Sequence, residues 1–224
     1  MTRITDFTLS LTAILILFPL LLPIIVLLRF TGEGKIFYKQ QRVGKNGEFF
    51  NVLKFATMLE NSPNMNTGTI TIANDPRVLP VGKFLRKTKV NELPQLLNVL
   101  LGQMSIIGPR PLTSEIFSMY DSGSQSTICT VRPGLSGIGS IFFRSEDNFL
   151  SREPDSTNFY NQNIAPYKQA LEVWYVTNVS YILYCKLIVY TVFAVLFPNS
   201  FRIHNYVDSL PPVPEALRSY CYDV

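Results

Sequence analysis

KFLRKTKVNELPQLLNVLLGQMSIIGPRPL, residues 83–112, is the stretch whose reading decides the fold. It opens on four positive charges, Lys83, Arg86, Lys87 and Lys89. Asn91 then reads as a helix N-cap, because its side chain can accept from a free N–H of the first turn. Pro94 falls in that first turn, where its missing N–H costs little. Leu93, Leu96, Leu97 and Leu100 follow at i, i+3, i+4 and i+7, one apolar face of a helix. Gly102 ends the helix. SIIGPRP, residues 105–111, reads as an extended, rigid loop with Arg110 held between Pro109 and Pro111.

The same thirty residues carry candidate chemistry. Glu92 sits at a helix N-terminus, where unpaired N–H groups and the positive dipole end stabilise a carboxylate or a phosphate. It either complements the dipole or takes part in chemistry; position alone does not decide. Arg110 is pre-ordered by its prolines to bind a phosphate bidentately, or it bonds loop carbonyls. Arg132, before Pro133, has the same two readings. Lys54, Arg86 and Lys87 lie in basic blocks that suit phosphate groups. Arg42 and Lys45 flank Gly44 in a tight turn, a weak signal by itself.

Outward to the N-terminus, residues 7–28 are 22 residues without a charge. As a helix they would be about 33 Å long, enough to span a hydrocarbon core. Pro19 and Pro23 interrupt the middle and favour a break. A straight span and a proline-broken re-entrant hairpin both fit. A basic block begins at Arg29, so the positive-inside rule puts the residues after Leu28 on the cytoplasmic face.

Between these regions, residues 36–38 and 49–55 have strand composition around the turn signal Lys45-Asn46-Gly47, a hairpin. Residues 60–74 read as a polar loop. Residues 114–120 and 158–177 read as helices, and residues 131–140 as a Gly/Pro-punctuated loop. Residues 179–197 are apolar but carry Lys186, which suits a core or interfacial helix. The three cysteines are scattered without a CxxC, which excludes a metal-ligand pattern and a disulfide framework. Charged residues make up only 16 %, and the net charge of +4 is concentrated in the basic blocks. With an apolar segment beside those blocks, nucleic acid is not the expected partner.

In order along the chain, QQRVGKNGEFF, LKFATM, NDPRVLPVGKFLRKTKVNELPQLLNVLLGQMSIIGPRP and VRPGLSGIGS resemble the bacterial sugar transferases, the monotopic phosphoglycosyl transferases. The likeness runs over residues 11–143, and residues 166–178 are similar to the C-terminal part of some members. The resemblance implies transfer of a sugar-1-phosphate from a UDP-sugar to a polyprenyl phosphate such as undecaprenyl phosphate. UMP leaves, and the product begins a glycan. It also implies a covalent phosphosugar intermediate, an Asp-Glu pair with Mg²⁺, and a re-entrant helix broken at a Ser-Pro step. Lipids, further glycan-pathway enzymes and a second copy of the chain are the expected partners. The expected location is the bacterial inner membrane, with the catalytic domain on its cytoplasmic face.

Against that pattern the chain departs in four places. The Asp-Glu pair is Asn91-Glu92, the arginine of the KFRTM motif is Ala56, the acid of GDMS is Gln103, and the Ser-Pro step is Phe18-Pro19. An amide is a poor nucleophile. Three readings therefore stand: Glu92 is the nucleophile or main metal ligand; the protein binds lipid phosphate or nucleotide without turnover, as a scaffold or regulator; or Glu146 or Asp147 substitutes. The expected fold is α/β, a small mostly helical domain with a short β-hairpin and the membrane-inserted helix. Its expected parts are residues 1–30, 31–208 with interfacial helices, and a tail at 209–224.

Overall fold

The computed structural model describes residues 2–62, 65, 75–144, 146, 150, 155–197 and 202–218. Helix α1 (Thr2–Arg29) leads into a hairpin of β1 (Phe37–Val43) and β2 (Phe49–Phe55). Then come α2 (Pro80–Lys87), a 3-10 turn (Val90–Glu92) and α3 (Gln95–Leu101). The middle of the chain forms β3 (Ser105–Ile107), α4 (Ser114–Ser118), α5 (Ser122–Ile128), β4 (Gly134–Ser136) and α6 (Ile138–Phe142). α7 (Ser156–Phe159), a π-helical turn (Tyr160–Ile164) and α8 (Ala165–Asn178) run on directly from one another, and α9 (Tyr181–Leu196) comes next.

Helices dominate, and the hairpin forms where its turn signal lies. β1 and β2 pair antiparallel from Phe37↔Phe55 to Val43↔Phe49. Asn46 takes φ 57 between them, a left-handed conformation that Asn tolerates. The polar loop read over residues 60–74 lies mostly outside the described residues.

The rigid loop and the Gly/Pro loop of the sequence reading need correction. Each contains a three-residue strand, and β3 pairs with β4 in parallel, Ser105 opposite Gly134 and Ile107 opposite Ser136. The largest core cluster packs around them and includes Ile107, Ile138, Phe142, Leu171, Tyr184 and Leu187. Each such side chain contributes on the order of 1.5–3 kcal/mol by leaving water.

Helix α1 is joined to this domain at both ends. Near its start, Asp6 is fully buried and accepts from Ser105 Oγ (2.9 Å), Ile106 N (2.8 Å) and Tyr184 OH (2.6 Å). Arg3 donates to the carbonyls of Val99 (2.5 Å) and Leu100 (2.6 Å), a cation on the negative end of α3. Gly102, at φ 84, closes α3 beside that arginine. At the far end, Leu28 packs with Phe55 and Leu85. Helical geometry continues through Pro19 and Pro23. The outer side of α1 is bare hydrocarbon: Leu15 and Ile16 are 67 % and 70 % exposed. Thr5 Oγ1 meets Tyr181 OH at 3.1 Å, so α9 starts beside α1. Ile182, Val189, Phe193 and Leu196 give α9 an exposed apolar stripe of its own.

Candidate active site

Glu92 stands at the end of a tight turn whose entry is unusual. Lys89 adopts φ 60, a left-handed conformation rare outside glycine, Asn and Asp. That residue breaks the chain direction after α2 and starts the 3-10 turn Val90–Glu92. α3 begins only at Gln95, after Pro94. Asn91 is therefore not the N-cap: it lies inside the turn, is buried, and its Oδ1 has no hydrogen-bond partner among the described residues. The Asn-before-apolar-run signature marked a helix start correctly, but Asn91 turns its amide inward instead of capping.

Two cations meet the Glu92 carboxylate. Lys54 Nζ lies 3.1 Å from Glu92 Oε1, and Arg110 Nη2 lies 3.9 Å from the same atom. Burial by itself would raise this carboxyl; Lys54, Arg110 and Lys89 overcome it and hold the group at about 2. Glu92 is thus an anion throughout the physiological range. Burial pulls the Lys54 ammonium below its usual value, against the attraction of Glu92. One fifth of the Glu92 side chain remains exposed (21 %), enough for a ligand to reach it.

The hairpin register supplies a further cation. Tyr38, Gln40 and Arg42 alternate onto the more buried side of β1, and Tyr38 pairs with Lys54. Arg42 donates to Gln40 Oε1 (2.5 Å) and to the Pro111 carbonyl (3.2 Å). Burial and Arg110 lower its pKa to about 10, so it stays charged. Buried Asn98 locks α3 to β2: its Oδ1 accepts from Leu53 N (3.0 Å) and its Nδ2 donates to the Asn51 carbonyl (2.8 Å). That bracing fixes the helix beyond Glu92 against the strand that carries Lys54.

Arg110 sits on the segment that leaves β3. Gly108 N donates to the Ser136 carbonyl (3.0 Å), and Gly134 N donates to the Pro109 carbonyl (2.7 Å). Glu172 Oε1 accepts from Arg110 N at 3.3 Å. Close by, a cavity is lined by Val43, Pro109, Arg110, Phe117 and Cys129.

Of the phosphate-binding candidates, the structure brings Lys54 and Arg110 to Glu92. Arg86 contacts Met58 Sδ (3.4 Å), and Lys87 is exposed on α2. Arg132 Nε donates to the Gly102 carbonyl (2.8 Å), beyond the end of α3. Glu146 pairs with Lys168 at 2.6 Å rather than with Lys54 or Arg110. Asp147 lies outside the described residues. Arg42 and Lys89 are the cations that sequence reasoning did not place at this carboxylate. FYKQQRV, residues 37–43, has no apolar/polar alternation, so the side that Arg42 takes follows only from the register of β1; for Lys89 there was no signal beyond its charge.

Among the described residues no group of three His, Cys, Asp or Glu could cage a metal. The charged oxygens here are those of the Glu92 carboxylate; the neighbouring Asn91 adds an amide oxygen that is buried and has no hydrogen-bond partner among the described residues. That donor set fits Mg²⁺ that completes its shell with substrate phosphates and water, the usual manner of this ion.

A family model described as bacterial sugar transferase matches residues 1–198. The exopolysaccharide production protein ExoY of Sinorhizobium fredii is 37 % identical over 171 residues, covering 70 % of this chain and 75 % of that one. The UDP-glucose:undecaprenyl-phosphate glucose-1-phosphate transferase of Klebsiella pneumoniae is 37 % identical over 155 residues, 67 % of this chain and 33 % of its own length. The uncharacterized sugar transferase EpsL of Bacillus subtilis is 33 % identical over 201 residues, 90 % of this chain and 87 % of its own.

Proposed function

The chain belongs to the bacterial sugar transferase family, and from that premise we propose how its own residues perform the transfer. It is a phosphoglycosyl transferase that moves a sugar-1-phosphate from a UDP-sugar to a polyprenyl phosphate, in the production of an exopolysaccharide or related glycan. The observation that carries the mechanism is the Glu92 carboxylate set 3.1 Å from Lys54 and 3.9 Å from Arg110.

The donor diphosphate binds beside Glu92, where the cations Lys54, Arg110, Arg42 and Lys89 draw it in and offset its charge. The Asn91 amide cannot attack phosphorus; the Glu92 carboxylate can, and needs no base because it is already ionised. A Glu92 oxygen bonds to the sugar-bearing phosphorus. The bond from that phosphorus to the bridging oxygen breaks, and UMP leaves with the electron pair. A polyprenyl phosphate oxygen then bonds to the same phosphorus, and the Glu92 carboxylate is released. No proton is gained or lost in either displacement. Mg²⁺, held by Glu92 and the Asn91 carbonyl oxygen, would neutralise the diphosphate and ease departure of UMP.

The acceptor is a lipid, so the pocket must sit at a membrane surface. Helix α1 would be about 42 Å long if straight, yet both its ends contact one domain. That supports a re-entrant or in-plane helix over a straight span, with its bare side and the α9 stripe toward lipid and the domain on the cytoplasmic face of the bacterial inner membrane.

The deciding assay mixes full-length protein in lipid nanodiscs with undecaprenyl phosphate, Mg²⁺ and a panel of UDP-sugars, and monitors UMP. Release with one donor is expected. No release with any donor would sink the transferase reading and leave that of a non-catalytic scaffold. Single cysteines placed before and after α1 should both be labelled from the cytoplasmic side; opposite-side labelling would overturn the same-face placement.

A further inference from the structure

Glu172 is a buried carboxylate that the transfer mechanism does not use. It lies on α8, 5 % exposed, in a helix face otherwise given to the core residues Leu171 and Tyr175. Its Oε1 accepts from the backbone N–H of Arg110 at 3.3 Å. Its Oε2 is buried with no hydrogen-bond partner among the described residues. An uncompensated buried oxygen costs about 1–3 kcal/mol, so an ordinary core position would carry an apolar side chain.

The surroundings make room for the carboxylate. A Cβ added to Gly139 of α6 would lie 2.6 Å from Glu172 Oε1, so any larger residue there displaces the carboxylate end. One turn along α8, Tyr175 OH donates to the Ile107 carbonyl at 3.4 Å. Positions 172 and 175 share one helix face. Together they grip both ends of the segment from Ile107 to Arg110, the piece of chain that delivers the guanidinium to Glu92.

We propose that Glu172 is a positioning residue for donor binding: by accepting the Arg110 N–H it fixes the backbone from which the Arg110 guanidinium reaches the donor diphosphate. This rests on the reading of Arg110 as a diphosphate ligand. A guanidinium whose backbone is already fixed loses less freedom on binding, which raises affinity without adding a contact to the ligand.

Among the described residues, the charged and titratable groups facing Glu172 are Arg110, Lys168, Tyr175 and Tyr120, which lies between α4 and α5. Burial raises the Glu172 carboxyl to about 7, against the pull of the Arg110 N–H and of the Arg110 and Lys168 charges. A carboxyl or an amide oxygen can accept the Arg110 N–H; a thioether of similar size accepts only weakly.

The test is UDP binding by titration calorimetry, on full-length protein in nanodiscs, with thermal unfolding measured in parallel. Glu172→Met keeps the volume and removes the acceptor; UDP affinity should fall about tenfold, the worth of one hydrogen bond. Glu172→Gln keeps an acceptor oxygen and should recover most of that loss. Gly139→Ala leaves Glu172 in place but crowds its carboxylate, and should weaken UDP in the same direction. It keeps the idea testable if Glu172→Met does not fold. Wild-type affinity in Glu172→Met, or in Gly139→Ala where Glu172→Met is unfolded, overturns the proposal. So does an equal loss in Glu172→Gln and Glu172→Met, which would make charge and not the acceptor the cause. A wild type that fails to bind UDP overturns it together with the diphosphate reading of Arg110. A wild type that binds UDP but releases no UMP sinks turnover alone.

Discussion

Glu92 and Glu172 are both largely buried glutamates, and one arginine joins them. Glu92 meets the guanidinium of Arg110; Glu172 meets its backbone N–H. Their acidities move apart, to about 2 and about 7. Burial pushes both carboxyls upward, so burial is not what separates them. The difference is that Lys54 and Arg110 place charge directly on Glu92, whereas Glu172 receives one neutral donor and more distant charge. The first arrangement gives an anion ready for chemistry. The second gives a brace that can be neutral near pH 7.

Replacing Glu92 breaks this comparison most sharply. Glu92→Gln should lower UMP release roughly a thousandfold or more, because the nucleophile is gone. UDP affinity should hold or improve, since Lys54 and Arg110 lose an internal partner and are free for phosphate. Glu172→Met should do the opposite, weakening UDP while the rate at saturating donor changes little. Full turnover in Glu92→Gln would remove Glu92 from the nucleophile role.

Stability against pH is the next largest contrast, and its sign differs between the two. Glu92 has a folded value of about 2 against an ordinary 4.5. Its stabilising contribution is present above pH 4.5 and is lost as pH falls toward 2. Glu172 has a folded value of about 7 against the same ordinary 4.5. Its contribution is full below pH 4.5 and is lost as pH rises to 7. Each shift corresponds to about 3 kcal/mol at most. Subtracting the unfolding curves of Glu92→Gln and Glu172→Gln from wild type should therefore give slopes of opposite sign, the first below pH 4.5 and the second above it. Slopes of one sign would mean that the two environments are not as different as their neighbours imply.

The two glutamates were unequally legible in the sequence. Glu92 stood out because an asparagine of the type that caps helices, a proline and an i, i+3, i+4, i+7 leucine pattern framed it. Glu172 lies in a helix of mixed polarity, where a lone glutamate reads as solvated surface; only the fold shows that it faces Gly139 and Arg110. The hairpin was readable from its turn, but the entry of Arg42 depends on strand register, which composition does not set. β3 and β4 were missed because three residues carry no alternating pattern, and their pairing joins segments separated by α4 and α5. The N-terminal segment was read from its apolar length, its two prolines and the basic block after it. Its docking rests on Arg3 and Asp6, two charges that a hydropathy reading treats as flanks.

A smaller change tests Arg110, the residue common to both sites. Arg110→Lys keeps a charge near Glu92 and keeps the backbone N–H that Glu172 accepts. It loses the planar fork that binds two phosphate oxygens at once. UDP affinity should fall about tenfold, and the loss should add to that of Gly139→Ala less than independently, because both act through one guanidinium. Full additivity would separate the brace from the arginine.

The smallest effect concerns the orphaned oxygens, one beside each glutamate: Asn91 Oδ1 next to Glu92, and Oε2 of Glu172 itself. At Glu172 an added charge would face the core, where burial already holds the carboxyl at about 7. At Asn91 it would stand one residue before Glu92, whose own charge Lys54, Arg110 and Lys89 already offset. Asn91→Asp should therefore fold, and it should lower the Mg²⁺ concentration needed for half-maximal UMP release several-fold, since affinity for hard cations rises with the number of ligand charges. An unchanged Mg²⁺ dependence would take Asn91 away from the ion. The unpartnered amide would then be a packing consequence of the turn that Lys89 begins, and Glu92 would hold the cation without it.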